Sequence, residues 1–460
     1  MTGAAGQRAA YGQLTRFLVP LILTQLIAEF GSQVLNGGMA RVPRPTHTLA
    51  AFGLAWGLVG LVTNALSYFR GVALVLVDSQ RAGRTVLWVA LSCGAAMSLV
   101  LAALSFSTTA IDDLHGISSE LGASVRLALI WLAPTALLEG LNRFLSGLLL
   151  RVHRPAVLTV ATGAHVFAAV TAVLLFLPTD LVRAEPIALP VVATYAGALV
   201  ELAALGWGYR RFAARELERT RAGAETEASS LGVTAVLRFF WPLALVMAFQ
   251  GLSRPLINLF VARGEGGEAA LAALGIVYHL AFLVYVWLND MRSLVPAFVR
   301  RQKDLRPVGR FMAGCGAISL AAMLILFWTP LRELILLQLL ALEPALVADC
   351  REPLLWCVLF PPLVTVRAYF HGLSLRCHQT RALAPSAPCR VGAILVALLV
   401  LPEAGFSGAT LGLVSLLAGF AAEAVATWWY GRGPIVDDTI PNDEVEDEDH
   451  GRSLDRAGRS

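Results

Sequence analysis

The sequence predicts an all-α membrane protein with twelve transmembrane helices in two parallel six-helix repeats, and three observations carry that prediction. Of 460 residues, 57% are hydrophobic and only 15% charged, with a mean hydropathy of +0.67, which is more apolar surface than a soluble core can bury. Apolar runs long enough to span a bilayer recur along the whole chain. The second half of the chain repeats the first at a nearly constant offset.

Crossing about 30 Å of hydrocarbon takes about 20 mostly apolar residues as helix, and helix is required because lipid offers no partner to open backbone groups. Twelve runs qualify, near residues 16–38, 49–77, 86–106, 125–150, 155–177, 187–209, 236–261, 270–298, 309–328, 352–375, 383–401 and 407–430. The first fourteen residues are polar and small and lack the order of a cleavable signal, so the first span itself directs insertion. The domain plan is a cytoplasmic N-terminus (1–15), an N-terminal six-helix lobe (16–209), a cytoplasmic linker (210–235), a C-terminal six-helix lobe (236–430) and an acidic tail (431–460). The linker is rich in Arg, Glu and Ala. The tail has the composition of a disordered segment.

The repeat is read residue by residue. Laying Leu14–Arg41 over Val236–Arg263 matches Arg16 to Arg238, Phe17 to Phe239, Pro20 to Pro242, Asn36 to Asn258 and Arg41 to Arg263. Leu49–Gly53 returns as Leu271–Gly275, and Arg70 returns as Arg292. Gly147–His153 returns as Gly372–His378 at a slightly longer offset, which implies a short net insertion before it. Ala196, Gly197 and Glu201 return as Ala418, Gly419 and Glu423 at the original offset. Six spans per copy is an even number, so both copies enter the membrane from one side. Parallel repeats of this kind build transporters whose two bundles rock about a midplane site.

Charge placement orients the chain. Arg81 and Arg84, Arg151 and Arg154, Arg210–Arg221, Arg300–Arg310, Arg376 and Arg381 fall on one side. Asp112, Asp113, Asp180, Glu185, Glu265, Glu268, Asp349 and Glu352 fall on the other. The positive-inside rule then makes both termini cytoplasmic. Lys303 is the only lysine, and arginine suits bidentate binding of phosphate and carboxylate oxygens, although compositional bias produces the same excess.

Ionisable groups within spans are costly and normally face the bundle interior. Glu139 and Arg143, four apart, form an expected internal ion pair. Arg70 with Glu201, and Arg292 with Glu423, are expected to brace the second span to the sixth and the eighth to the twelfth. Arg254 and Asn258 share one face of the seventh span beside Pro255, expected to break that helix. Arg367 and His371 follow Pro361-Pro362 in the tenth span. Their first-half counterparts are Ser32 for Arg254 and Asn142 for Arg367, so the second bundle shows two unpaired-looking cations. Glu29 and Asp290 are candidate acidic partners or coupling sites. His165 and His371 titrate near neutrality in ordinary surroundings, although a histidine in a bundle usually serves as an interhelical hydrogen-bonder.

No phosphate-binding loop, catalytic triad or metal-ligand spacing is present, which argues against an enzyme or an ATP-driven pump. No catalytic residue, metal site or cofactor is expected. The six cysteines form no disulfide framework. Cys350 is expected in an outer loop and the other five in or beside spans. Central cations and parallel halves favour an anionic solute. Five carboxylates, Glu29, Glu139, Asp290, Glu201 and Glu423, keep open a proton- or sodium-coupled exporter of organic cations. A lipid flippase, or a scaffold regulating another exporter, is a third reading.

The stretches 241–263 (WPLALVMAFQGLSRPLINLFVAR), 364–373 (VTVRAYFHGL), 383–386 (LAPS) and 408–423 (GATLGLVSLLAGFAAE) closely resemble the progressive ankylosis protein family. So do 287–298 (WLNDMRSLVPAF), 67–79 (SYFRGVALVLVDS) and 16–36 (RFLVPLILTQLIAEFGSQVLN). The resemblance implies a MATE-like two-lobed transporter of twelve helices in the plasma membrane. It implies export of inorganic pyrophosphate, with nucleotide such as ATP and citrate-type solutes, and an influence on mineralisation. The partners so implied are multivalent anions and the lipid bilayer, with no nucleic acid, and a monomer is expected. Solute contacts are expected from Arg254, Asn258, Arg367, Asn36, Arg292 and His371, and coupling or gating from Glu29 and Asp290. Against the family pattern, Ser32 stands in place of an acidic residue and Glu201 in place of a basic one.

Overall fold

A computed structural model of the chain describes residues 2–109, 111, 118–214, 231–264, 267–340 and 342–431. Most of the acidic tail (432–460), most of the linker (215–230), and Asp112, Asp113 and Glu265 lie outside the described residues. Every regular element among the described residues is helical.

Among the described residues, eleven helices are long and apolar enough to cross a membrane, and a bent pair counted as one span makes twelve. In order, the first to third spans are Tyr11–Met39, Pro45–Leu76 and Gln80–Ser105, and the fourth is Ser119–Leu132 with Thr135–Arg151, bent by 43°. The fifth and sixth are Pro155–Phe176 and Ala188–Ala213. The seventh to twelfth are Val233–Ala262, Ala269–Phe298, Gln302–Trp328, Pro344–Arg376, Thr380–Ala404 and Gly408–Gly431. Pro134 sets the bend in the fourth span, because it lacks the N–H that would continue the ladder. Large apolar side chains left on the outside, such as Trp88, Leu99, Phe106 and Phe167, are what a lipid-facing helix surface requires.

The chain divides into two compact units, one made of Val19–Ala248 and the other of Met1–Leu18 with Phe249–Ser460. We call these the N-terminal and C-terminal units. The chain passes from one to the other inside the first span and again inside the seventh. In the N-terminal unit the apolar core is built from Met39, Phe52, Val59, Leu101, Leu129, Leu132 and Val191. In the C-terminal unit the twelfth span is the interior helix, with 72% of its most apolar window buried. Tyr285 stacks on Phe360 at 4.7 Å, and Phe420 of the twelfth span meets Phe360 edge-on at 5.2 Å.

The sequence repeat is also a repeat of backbone geometry. The second and eighth spans each pass through a 3-10 segment, Asn64–Tyr68 and Val286–Ser293. The fourth and tenth spans each end on a histidine in the left-handed region, His153 at φ 55° and His378 at φ 57°, a helix-terminating conformation more often taken by glycine. The closing bonds correspond too, with Arg154 N donating to Leu149 O and Gln379 N to Ser374 O, both at 2.9 Å. Arg151 donates to the carbonyl of Leu74 at 3.2 Å and Arg376 to that of Val299 at 2.8 Å, and the two pairs are again related by the longer repeat offset. Both arginines, read from the sequence as topology signals, thus satisfy carbonyls left over at the ends of the second and eighth spans.

Two sequence expectations are corrected here. The seventh span is a single helix from Val233 to Ala262 and runs through Pro255 without a break. At Pro255 the missing N–H leaves the carbonyl of Gly251 without its i+4 donor, and the remaining ladder carries the helix on to Ala262. Cys350 is buried within the helix Pro344–Trp356 instead of lying in a loop.

Candidate solute-binding site

The C-terminal unit is organised around a carboxylate that carries no solvent exposure. Glu423 lies on the interior twelfth span, where an unpaired ion would cost several kcal/mol. Three partners compensate it. Arg390 donates to its Oε2 at 2.6 Å and Arg367 to the same oxygen at 3.1 Å, while Gln250 donates to Oε1 at 2.6 Å. Each guanidinium uses one further donor, as Arg390 Nε reaches Ser253 Oγ at 3.0 Å and Arg367 hydrogen-bonds to Asn289 Oδ1. Phe420 lies one turn before Glu423, and both guanidinium groups sit over its ring, at 4.2 Å for Arg390 and 4.9 Å for Arg367. Two arginines against one glutamate leave the cluster with a net charge of +1.

Next to Ser253 on the seventh span stands Arg254, in a different situation. Its guanidinium lies 5.0 Å from the centre of the Tyr278 ring and 5.8 Å from that of Phe282. It makes no hydrogen bond or ion pair with any described residue, and the side chain is exposed. Aromatic faces hold a cation in place without consuming its donors. Asn258, one turn further along the same helix, is likewise exposed. The seventh span thus presents an oriented cation whose five N–H groups face no described acceptor, beside a cluster that is itself positive.

The other expected site residues are distributed as follows. Arg367 and His371 are both buried on the tenth span, and His371 Nε2 has no partner among the described residues. Asp290 is buried and Arg292 half-buried within Val286–Ser293, and neither is without a partner. Glu29, half-buried, and Asn36, exposed, belong to the N-terminal unit. Glu139 accepts from Arg143 Nε at 2.6 Å, as the i,i+4 spacing predicts.

Arg367 is not the unpaired cation expected from the sequence, because it is paired with Glu423. The expected braces are also replaced, since Glu201 pairs with His165 at 2.9 Å and Glu423 with Arg367 and Arg390. The reason is local packing. The backbone of Arg70 lies against Gly147 of the fourth span, and the carbonyl of Arg292 lies only 2.7 Å from where a Cβ on Gly372 would stand. These residues are therefore seated against the fourth and tenth spans, while the fifth and eleventh spans supply the bases for the sixth and twelfth.

Sequence reading missed Arg390, Gln250, Ser253 and Asn289, and it left His165 without its carboxylate. One signal was available, because Arg390 follows His165 at the same longer offset that separates Arg367 from Asn142.

The sequence model of the progressive ankylosis protein family matches residues 4–329, through the ninth span. Among solved structures, the eukaryotic MATE transporter AtDTX14 is similar with a TM-score of 0.73 at 14% identity, covering 92% of this chain and 96% of that one. A mutant form of the MATE transporter VcmN from Vibrio cholerae gives 0.71 at 16% identity, covering 95% and 99%. A MOP superfamily transporter from Pyrococcus furiosus, described as having a binding pocket of reverse polarity, gives 0.65 at 16%, covering 92% and 96%. The chain belongs to the progressive ankylosis protein family and has the two-lobed fold of the MATE transporters.

Proposed function

We propose that this membrane transporter exports multivalent anions by alternating access, with inorganic pyrophosphate as the leading solute and nucleotide- and citrate-type anions as further ones. The observation that carries the reading is Arg254, a cation within the seventh span whose donors meet no described acceptor. An oxygen-rich anion supplies the bidentate acceptors that such a guanidinium lacks. Arg367 and Arg390 contribute their field. Asn258, Arg292 and His371 are the remaining proposed solute contacts in the C-terminal unit, and Asn36 is one proposed in the N-terminal unit. Glu29 and Asp290 are proposed for coupling or gating.

The carboxylates of the two clusters favour this reading over export of organic cations, since Glu423, Glu201 and Glu139 are each occupied by a basic side chain. The driving force is sufficient, as an inside-negative potential favours anion export by about 2.3 kcal/mol per charge per 100 mV. The arginine-rich loops support cytoplasmic termini. We infer a plasma-membrane location, an effect on extracellular pyrophosphate and mineralisation, and a monomer. Efflux of labelled pyrophosphate, citrate and an organic cation from proteoliposomes tests the reading, because a cation exporter or a scaffold would release neither anion.

A further inference from the structure

The two repeats carry a carboxylate at the same place, fully buried in the C-terminal unit and half-buried in the N-terminal one, and the base opposite it differs in kind. Glu201 and Glu423 hold equivalent places in the two copies, as do Gly197 and Gly419, whereas His165 and Arg390 share the longer offset that relates Asn142 to Arg367. In the C-terminal unit Arg390 donates to Glu423 at 2.6 Å. In the N-terminal unit His165 Nδ1 stands 2.9 Å from Glu201 Oε2. A glycine one turn before each glutamate permits the approach. A Cβ on Gly197 would stand 2.6 Å from His165 Nε2, and one on Gly419 would stand 3.3 Å from Arg390 Cγ. The same device is therefore built twice, once with a base that is always charged and once with the base whose charge changes most readily near neutral pH.

The surroundings of His165 make its proton count. Arg143 on the fourth span acts electrostatically on Glu201 and is itself bonded to Glu139. Asn142, in the place of Arg367, is neutral and reaches only the carbonyl of Ala198, at 3.5 Å. On the first span, whose Gly31 packs against Val166, the acidic group is Glu29. Glu139, Arg143 and Glu201 together carry a charge of −1 while His165 is neutral, and one proton brings the group to zero. The two side chains of the pair keep 32% and 24% of their surface.

We propose that His165 and Glu201 form a binding site for a single proton in the N-terminal unit, loaded and emptied during the transport cycle. With Nδ1–H donating to the Glu201 carboxylate, the incoming proton adds to Nε2 and yields an imidazolium paired with the carboxylate. No other bond changes. The proposal rests on the transport reading but not on the solute being an anion, and one of its two readouts needs no transport at all.

The test uses the full chain. In lipid nanodiscs, ring-nitrogen resonances of histidine-labelled protein are followed from about pH 5 to about pH 8.5, with His165 assigned by its absence in His165→Gln. A one-proton titration of His165 is expected, and Glu201→Gln should shift its midpoint by about one pH unit or more, about tenfold in proton affinity. In proteoliposomes loaded with citrate or pyrophosphate, wild-type efflux should vary about tenfold over that range, and His165→Arg, which copies the Arg390–Glu423 pair, should flatten it to under about twofold. A His165 ring that does not titrate, a midpoint indifferent to Glu201→Gln, or a His165→Arg protein with the wild-type pH profile overturns the proposal. If neither anion is released, the anion reading fails and the titration alone decides.

Discussion

Arg254 rests on the face of Tyr278 at 5.0 Å, held by a ring in place of a carboxylate. That relationship separates it from Arg367 and Arg390, whose charge is already committed to Glu423. Replacing Arg254 with Gln should reduce efflux of pyrophosphate and citrate by about 100-fold, the range for losing a charge-assisted contact of about 1.5–3 kcal/mol. Arg254→Lys should recover part of it, since a point charge remains without the bidentate fork. Because the side chain is exposed, surface abundance and thermal midpoint should stay near wild type.

Glu423→Gln should behave in the opposite way. It leaves two buried guanidinium groups without their shared counter-ion, and removing one partner of a buried pair costs about 3–5 kcal/mol. We expect a clear drop in thermal midpoint in detergent and poor recovery of folded protein. A midpoint equal to wild type would show that Arg367 and Arg390 are compensated elsewhere.

Arg367→Gln separates structure from binding. Since Arg367 bonds both Glu423 and Asn289, its loss should lower the midpoint more than Arg254→Gln does, while Arg390 and Gln250 still hold Glu423. Measuring the two variants side by side checks the order.

Gly147 and Gly372 are predicted to tolerate no side chain. A Cβ at either would run into the backbone carbonyl of Arg70 or Arg292, and backbone cannot swing aside as a side-chain tip can. Gly147→Ala and Gly372→Ala should each cost about 1–3 kcal/mol. Gly275→Ala and Gly314→Ala, with nothing within 4 Å, serve as neutral controls. Thermal midpoints of the four variants decide the matter.

The architecture was legible in the sequence because it rests on two signals that survive averaging, apolar run length and an internal repeat. Arg16 over Arg238 and Gly147–His153 over Gly372–His378 announced two six-helix copies, and the matching left-handed histidines repeat that pairing at the backbone. The charged interior was legible only in part. Glu139 and Arg143 are local, four residues apart on one helix, and their pairing follows from helical geometry alone. The partners of Glu423 come from the seventh, tenth and eleventh spans, and no spacing rule says which helix packs against which. Similar depth in the membrane suggested Arg292 for Glu423, but depth does not fix azimuth around a helix. Pro255 misled for a related reason, since a single proline site in a long membrane helix removes one bond and leaves the bilayer's demand for helix unchanged, and the same helix also runs through Pro242.

The most direct test of the central claim is efflux of labelled pyrophosphate from proteoliposomes holding either the wild-type protein or Arg254→Gln, at a fixed inside-negative potential. Rapid wild-type efflux that Arg254→Gln lowers by about 100-fold, with equal amounts of folded protein, is the predicted result. Wild-type vesicles that retain pyrophosphate and citrate, or an Arg254→Gln protein that releases them at the wild-type rate, would contradict it.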